Sequence, residues 1–182
     1  MIKVIRSEIP EVLLLEPKVF EDERGAVFET FNRLHFAQAT GLNIDFVQEN
    51  HSHSKKNVLR GLHYQVVHPQ GKLISAVRGE IYDVAVDLRR SSPTFRGWVG
   101  FTLSESNRRM AWIPPGFAHG LLALSDTVDV LYKLTDLWAP QHERAILWND
   151  LDIGIRWPLK GTPILSAKDQ AAKRFADAEI FA

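Results

Sequence analysis

Apolar and polar residues alternate with a period of two through the middle of this chain, a pattern that suits strands and poorly suits helices. In Ile81-Tyr82-Asp83-Val84-Ala85-Val86-Asp87-Leu88, one face carries Tyr82, Val84, Val86 and Leu88, and the other carries Asp83, Ala85 and Asp87. Residues 128–134 repeat the pattern, with Val128, Val130, Tyr132 and Leu134 on one side. Similar runs cover 26–31, 46–50, 58–65, 72–77, 98–103, 111–113 and 144–148. Turn signals separate them, among them Glu23-Arg24-Gly25, Pro69-Gln70-Gly71, Arg78-Gly79-Glu80, Ser92-Pro93-Thr94 and Pro114-Pro115-Gly116. Many short strands at near-regular spacing predict an all-β sandwich or barrel. Two helices are expected beside it. Asn32 caps one that runs through residue 39 and closes at Gly41, and Ser166 opens another over 167–175. No repeat, linker or low-complexity tract divides the 182 residues, so the expectation is one domain with any ligand in the barrel interior.

Composition narrows the function. Twenty-two basic side chains balance 22 acidic ones, which argues against a nucleic-acid-binding domain. Cysteine is absent, so a disulfide, a thiolate metal site and a cysteine nucleophile are all excluded. Charges interrupt every hydrophobic run near the N-terminus, which reads as mature protein with no signal peptide or membrane span; a cytoplasmic location is expected.

Two of the seven histidines interrupt apolar strands that should face an interior: His63 in Val-Leu-Arg-Gly-Leu-His-Tyr-Gln (58–65) and His119 in Trp-Ile-Pro-Pro-Gly-Phe-Ala-His-Gly (112–120). Polar groups on such faces are costly unless paired, so they suggest a lined cavity. Tyr132 shares its face with valines and leucine, which puts its hydroxyl inside. Asp83 and Asp87 oppose an aliphatic face; one can point inward, and a solvated outer face suits Asp87 equally well. Lys72 opens a strand and shares parity with Ile74 and Ala76. Arg24-Gly25 and Arg60-Gly61 each set a guanidinium beside a flexible backbone position, a geometry suited to gripping phosphate or to a surface ion pair. Arg60 and His63 have opposite parity on a regular strand, so both reach one pocket only if the strand bulges, and Gly61 is the natural place.

Pro114-x-Gly116-x-x-His119 matches the second half of the cupin barrel signature, whose metal-binding members pair it with His-x-His and a downstream Glu. Here Gln65 stands two residues after His63, and Lys72 would repel a divalent ion. His63, His68 and His119 could converge as neutral ligands, but the metal reading is the weaker one.

Taken together, the blocks 20–29, 46–54, 58–65, 83–95, 112–120, 148–150 and 165–169 resemble the dTDP-4-dehydrorhamnose 3,5-epimerase family across nearly the whole chain. The resemblance implies a cupin-type jelly roll that epimerises carbons 3 and 5 of dTDP-4-dehydro-6-deoxy-D-glucose without metal or other cofactor, and a homodimer whose N-terminal strands contribute across the interface. It implies His63 as general base, Asp169 as its orienting carboxylate, Tyr132 as proton donor and Lys72 as the cation near the keto oxygen. Arg24, Arg60 and Lys168 match diphosphate or substrate contacts; Glu29, Gln48, Asn50, His119 and Glu143 match further binding positions. Trp138 stands where the family often has a tyrosine near the nucleotide base, and Met110 where a glutamine is common. The rival readings are a 3-epimerase or ketoisomerase on a related dTDP-sugar, a metal-dependent cupin, and a non-catalytic sugar-binding cupin.

Overall fold

Thirteen strands and two short helices make up residues 2–182, the part of the chain that the computed structural model describes. The strands are β1 (Lys3–Arg6), β2 (Leu13–Glu16), β3 (Val19–Asp22), β4 (Gly25–Phe28), β5 (Gln48–Lys55), β6 (Leu59–Gln65), β7 (Lys72–Arg78), β8 (Glu80–Asp87), β9 (Trp98–Ser104), β10 (Met110–Ile113), β11 (Phe117–Ala123), β12 (Thr127–Leu134) and β13 (Glu143–Ala145). One antiparallel sheet runs β1-β2-β10-β7-β12-β5 and a second runs β13-β6-β11-β8-β9, while β3 and β4 form a separate hairpin. This is the cupin-type jelly roll that the family resemblance implies, and an all-β sandwich as the strand pattern predicts.

Each of these two larger sheets is apolar on both faces, so the described residues form three cores. Ile74, Ala76, Val128 and Val130 of the first sheet meet Ile81, Ala85, Leu121 and Ala123 of the second in the central layer. The outer face of the first sheet, with Leu13, Leu15, Met110 and Trp112, is covered by Phe36 of α1 (Arg33–Thr40) and by Phe31 and Phe46. The outer face of the second carries Leu62, Val84, Val86 and Leu88 beneath Ile146, Ile153 and Phe175 of the C-terminal segment. The aliphatic face of β8 therefore packs outward, and its Asp83–Ala85–Asp87 face is the interior one. Both aspartates are fully buried, which overturns a solvated position for Asp87; its carboxylate receives Arg89, Ser92 and Thr94 instead. Met110 is buried in the apolar cluster on the outer face of the first sheet, where its flexible side chain packs with Leu13, Leu15 and Trp112.

The first helix follows its caps: the Asn32 side chain accepts the His35 N–H, and Gly41 closes it in the left-handed region. The second is shorter than predicted. α2 spans only Ala167–Gln170, because the chain then turns to bond Leu147 N–H through the Lys173 carbonyl and to give the Phe175 N–H to Asp150. A 3₁₀ turn at Phe175–Asp177 follows. Among the described residues, no helix is long and apolar enough to cross a membrane.

Candidate active site

The interior polar residues gather where β6 and β11 lie side by side. His63 and His119 are direct register partners, so both rings project from the same inner face. The register slips immediately beyond them, at the bulge expected near Gly61. Gly61 has φ +117°, and a Cβ there would lie 2.6 Å from Gly120 Cα and from the His119 carbonyl oxygen. No other residue type fits that approach.

His63 is held by a carboxylate that is itself firmly held. Its Nε2 lies 2.5 Å from Asp169 Oδ1. Asp169 is held by Ser166, the N-cap of α2 (Ala167–Gln170), whose hydroxyl accepts the Asp169 N–H at 3.1 Å and donates to Asp169 Oδ2 at 2.8 Å. Burial would raise the Asp169 pKa, but the hydrogen bonds from His63, Ser166 and the Gly61 backbone hold it below the usual carboxylate range. An ionised Asp169 can only accept, so Nε2 carries the ring proton and Nδ1 presents the basic lone pair.

A second buried pair stands beside the first. His119 Nε2 lies 2.7 Å from Asp83 Oδ1. Burial lowers the His119 pKa, and the charges of Lys72 and His63 push the same way against Asp83, so this imidazole is neutral near pH 7. Asp83 Oδ2 has no hydrogen-bond partner among the described residues. Lys72, from β7 of the opposite sheet, is 9% exposed; burial pulls its ammonium down to about 8, against the attraction of Asp83 and Glu143. Asp83 and Ser166 escape sequence reading as parts of this cluster. No local signal marks Asp83, because both faces of β8 are buried and its polar face is the one turned inward.

Tyr132 is half-buried on β12 of that opposite sheet, packed against the central core and paired in register with Asn50 and Ile74. The two sheets thus present Tyr132 and Lys72 from one side and His63 and His119 from the other. At the rim, Glu143 Oε2 receives Lys168 Nζ at 2.6 Å and the Trp138 indole N–H at 3.2 Å. Burial would raise the Glu143 pKa, but these two donors hold it down. Gln48 donates to Asn50 Oδ1 at 3.0 Å and accepts the Trp138 backbone N–H at 2.9 Å. Arg60 reaches from β6 to β5 of the other sheet, where it donates to Ser54 Oγ and to the His53 carbonyl, both at 3.1 Å.

Two sequence-predicted residues lie outside this cluster. Arg24 is on the exposed β3–β4 hairpin, where it pairs with Asp22 at 2.5 Å. Glu29 follows that hairpin and bonds His35 and Asn32. Nor does His68 join His63 and His119; it turns to Asp136 at 3.3 Å. Among the described residues, no trio of His, Asp or Glu is arranged to hold a metal ion.

Comparison with known proteins places this constellation in context. The family model described as dTDP-4-dehydrorhamnose 3,5-epimerase matches residues 6–177. A dTDP-4-dehydrorhamnose 3,5-epimerase of Pseudomonas aeruginosa is 56% identical over 179 residues, covering 98% of this chain and 99% of that protein. One from Salmonella typhimurium is also 56% identical, covering 94% of each. The crystal structure of a dTDP-6-deoxy-D-glucose-3,5-epimerase from Legionella pneumophila, in complex with dTDP-4-keto-L-rhamnose, superposes with a TM-score of 0.96 at 46% identity, covering 98% of this chain and 95% of that one.

Proposed function

Because the chain belongs to the dTDP-4-dehydrorhamnose 3,5-epimerase family, we infer that His63 and Tyr132 divide the proton transfers of its reaction between them. The chain is an epimerase of the isomerase class, and dTDP-4-dehydro-6-deoxy-D-glucose is its substrate. Carbons 3 and 5 both flank the 4-keto group. Each hydrogen there is weakly acidic, because its loss leaves an enolate on the keto oxygen.

His63 takes the proton through Nδ1, and Asp169 stabilises the imidazolium that forms. Lys72 stabilises the enolate oxygen with a desolvated positive charge, which acts more strongly there than it would in water. Tyr132 returns a proton from the opposite sheet, which inverts the carbon. His119 stays neutral and, with Asn50 and Gln48, hydrogen-bonds the sugar and nucleotide. Lys168 and Arg60 take the diphosphate, and Trp138 stacks on the base. The substrate's own ketone supplies the acidity, so a base, an acid and a cation suffice, with no cofactor called on.

The single observation that carries this reading is the carboxylate-held His63 on an inner face opposite the sheet that bears Tyr132 and Lys72. Arg24 and Glu29 complete the site in a homodimer, where the exposed hairpin of one protomer reaches the other. Within one chain Arg24 pairs with Asp22 and Glu29 with His35, away from His63 and Lys72, which supports that arrangement. A cytoplasmic location goes with a nucleotide-sugar substrate. The test is incubation of the purified protein with the 4-keto sugar, followed by NMR. Formation of dTDP-4-dehydro-L-rhamnose, abolished by His63→Asn and by Tyr132→Phe, is the expected result. Undiminished turnover in either variant would remove that residue from its role.

A further inference from the structure

Gln65 takes no part in the proton chemistry above, yet it is 3% exposed and both ends of its amide are engaged. It stands two residues after His63 on the same inward face, at the end of β6, paired with Glu143 of β13. Its Nε2 donates to the carbonyls of His68 at 2.9 Å and Leu137 at 3.3 Å, and its Oε1 accepts the Ala139 N–H at 2.8 Å. From the other sheet, Gln48 holds the intervening Trp138 N–H. Three consecutive backbone units, 137–139, are thus pinned by two glutamines from opposite sheets.

The side chain between these pins behaves differently from its backbone. Trp138 is 57% exposed, and its one polar atom is tied to Glu143. An exposed indole fixed at its edge keeps a ring face open for a flat ligand. A loose loop would have to lose its freedom each time a ligand stacked there, and the affinity would fall accordingly. Donor and acceptor in one buried side chain serve this loop well, because a carbonyl and an N–H must both be met.

We propose that Gln65 is a positioning residue for the nucleotide: it fixes the backbone on either side of Trp138 so that the indole is preset for the base. This rests on the reading above that Trp138 stacks on the base. The position that supplies a metal ligand in other cupins here serves as a loop clamp.

The test is a double-mutant cycle with Gln65→Met, near in size but unable to make these bonds, and Trp138→Ala. Calorimetric Kd values are measured for dTDP and, as a probe that lacks the base, for inorganic pyrophosphate. Gln65→Met is expected to weaken dTDP about 10-fold, the effect of one to two lost hydrogen bonds, with pyrophosphate binding unchanged and KM raised far more than kcat is lowered. In the Trp138→Ala background the same change is expected to add nothing. If Trp138→Ala leaves the dTDP Kd unchanged, the stacking reading fails and takes this proposal with it. If Trp138→Ala weakens dTDP, the proposal alone is overturned by any of three results: no effect of Gln65→Met, equal loss of pyrophosphate binding, or additivity with Trp138→Ala. Should Gln65→Met not fold, Gln65→Glu keeps the acceptor for Ala139 and loses both donors, and it is judged by the same criteria.

Discussion

Replacing Lys72 by methionine should make the protein more stable while destroying its activity. The ammonium is buried, and desolvation lowers its pKa from 10.5 to about 8 even though Asp83 and Glu143 attract it. One pKa unit corresponds to about 1.4 kcal/mol, so keeping Lys72 charged in the folded state costs roughly 3 kcal/mol. Below pH 8 the folded and unfolded chains both hold this proton, and the full cost is present. Between pH 8 and 10.5 the unfolded chain binds more protons than the folded one, so wild-type stability rises with pH. Near pH 10 less than about 1 kcal/mol of the cost remains. Lys72→Met keeps the length and apolar bulk of the stem and removes the charge. Urea unfolding at pH 7 should show the variant more stable by about 3 kcal/mol, a gain of roughly 6–12 °C in Tm for a chain of this size. At pH 10 most of that gain should vanish. A variant less stable at pH 7, or a difference equal at the two pH values, would refute the idea that the site stores an under-compensated cation.

Other consequences follow from the same geometry. Asp169→Asn removes the charge that holds His63 and stabilises its imidazolium; kcat should fall about 10²–10⁴-fold while the Kd for dTDP moves little, a contrast that calorimetry and rate measurements resolve. In a pH–rate profile, kcat/KM should decline as pH rises through about 8, because Lys72 loses the proton that stabilises the enolate; an alkaline limb unchanged in Lys72→Arg would contradict this. Gly61→Ala places a methyl group 2.6 Å from backbone atoms of β11 at φ +117°, and should lower stability by roughly 2 kcal/mol or more in denaturant titration.

Much of the site was legible in the sequence because its residues break an otherwise apolar alternation. His63, His119, Tyr132 and Lys72 stand at inward positions of strands whose parity could be read directly. The side of β8 that faces inward was not legible, since a jelly roll covered on its outside by residues 146–181 buries apolar residues on both faces. Leu13-Leu14-Leu15 of β2 is buried throughout and shows no alternation, so periodicity does not mark that strand. Mixed charges made 167–175 look helical, but tertiary hydrogen bonds to Leu147 and Asp150 end the helix after one turn. No local pattern marks the role of Gln65, because two of its three partners, Leu137 and Ala139, lie more than 70 residues away. Arg24 and Glu29 carry the family's motif, yet here they bond Asp22 and His35 and do not join the cluster.

Solvent isotope exchange tests the central claim most directly. With the 4-keto sugar in D₂O, the wild-type protein should introduce deuterium at carbons 3 and 5, and His63→Asn should introduce it at neither. Tyr132→Phe should still exchange label where His63 acts but give no inverted product. Label confined to carbon 3 would leave a single epimerase, and exchange that persists without His63 would contradict its assignment as the base.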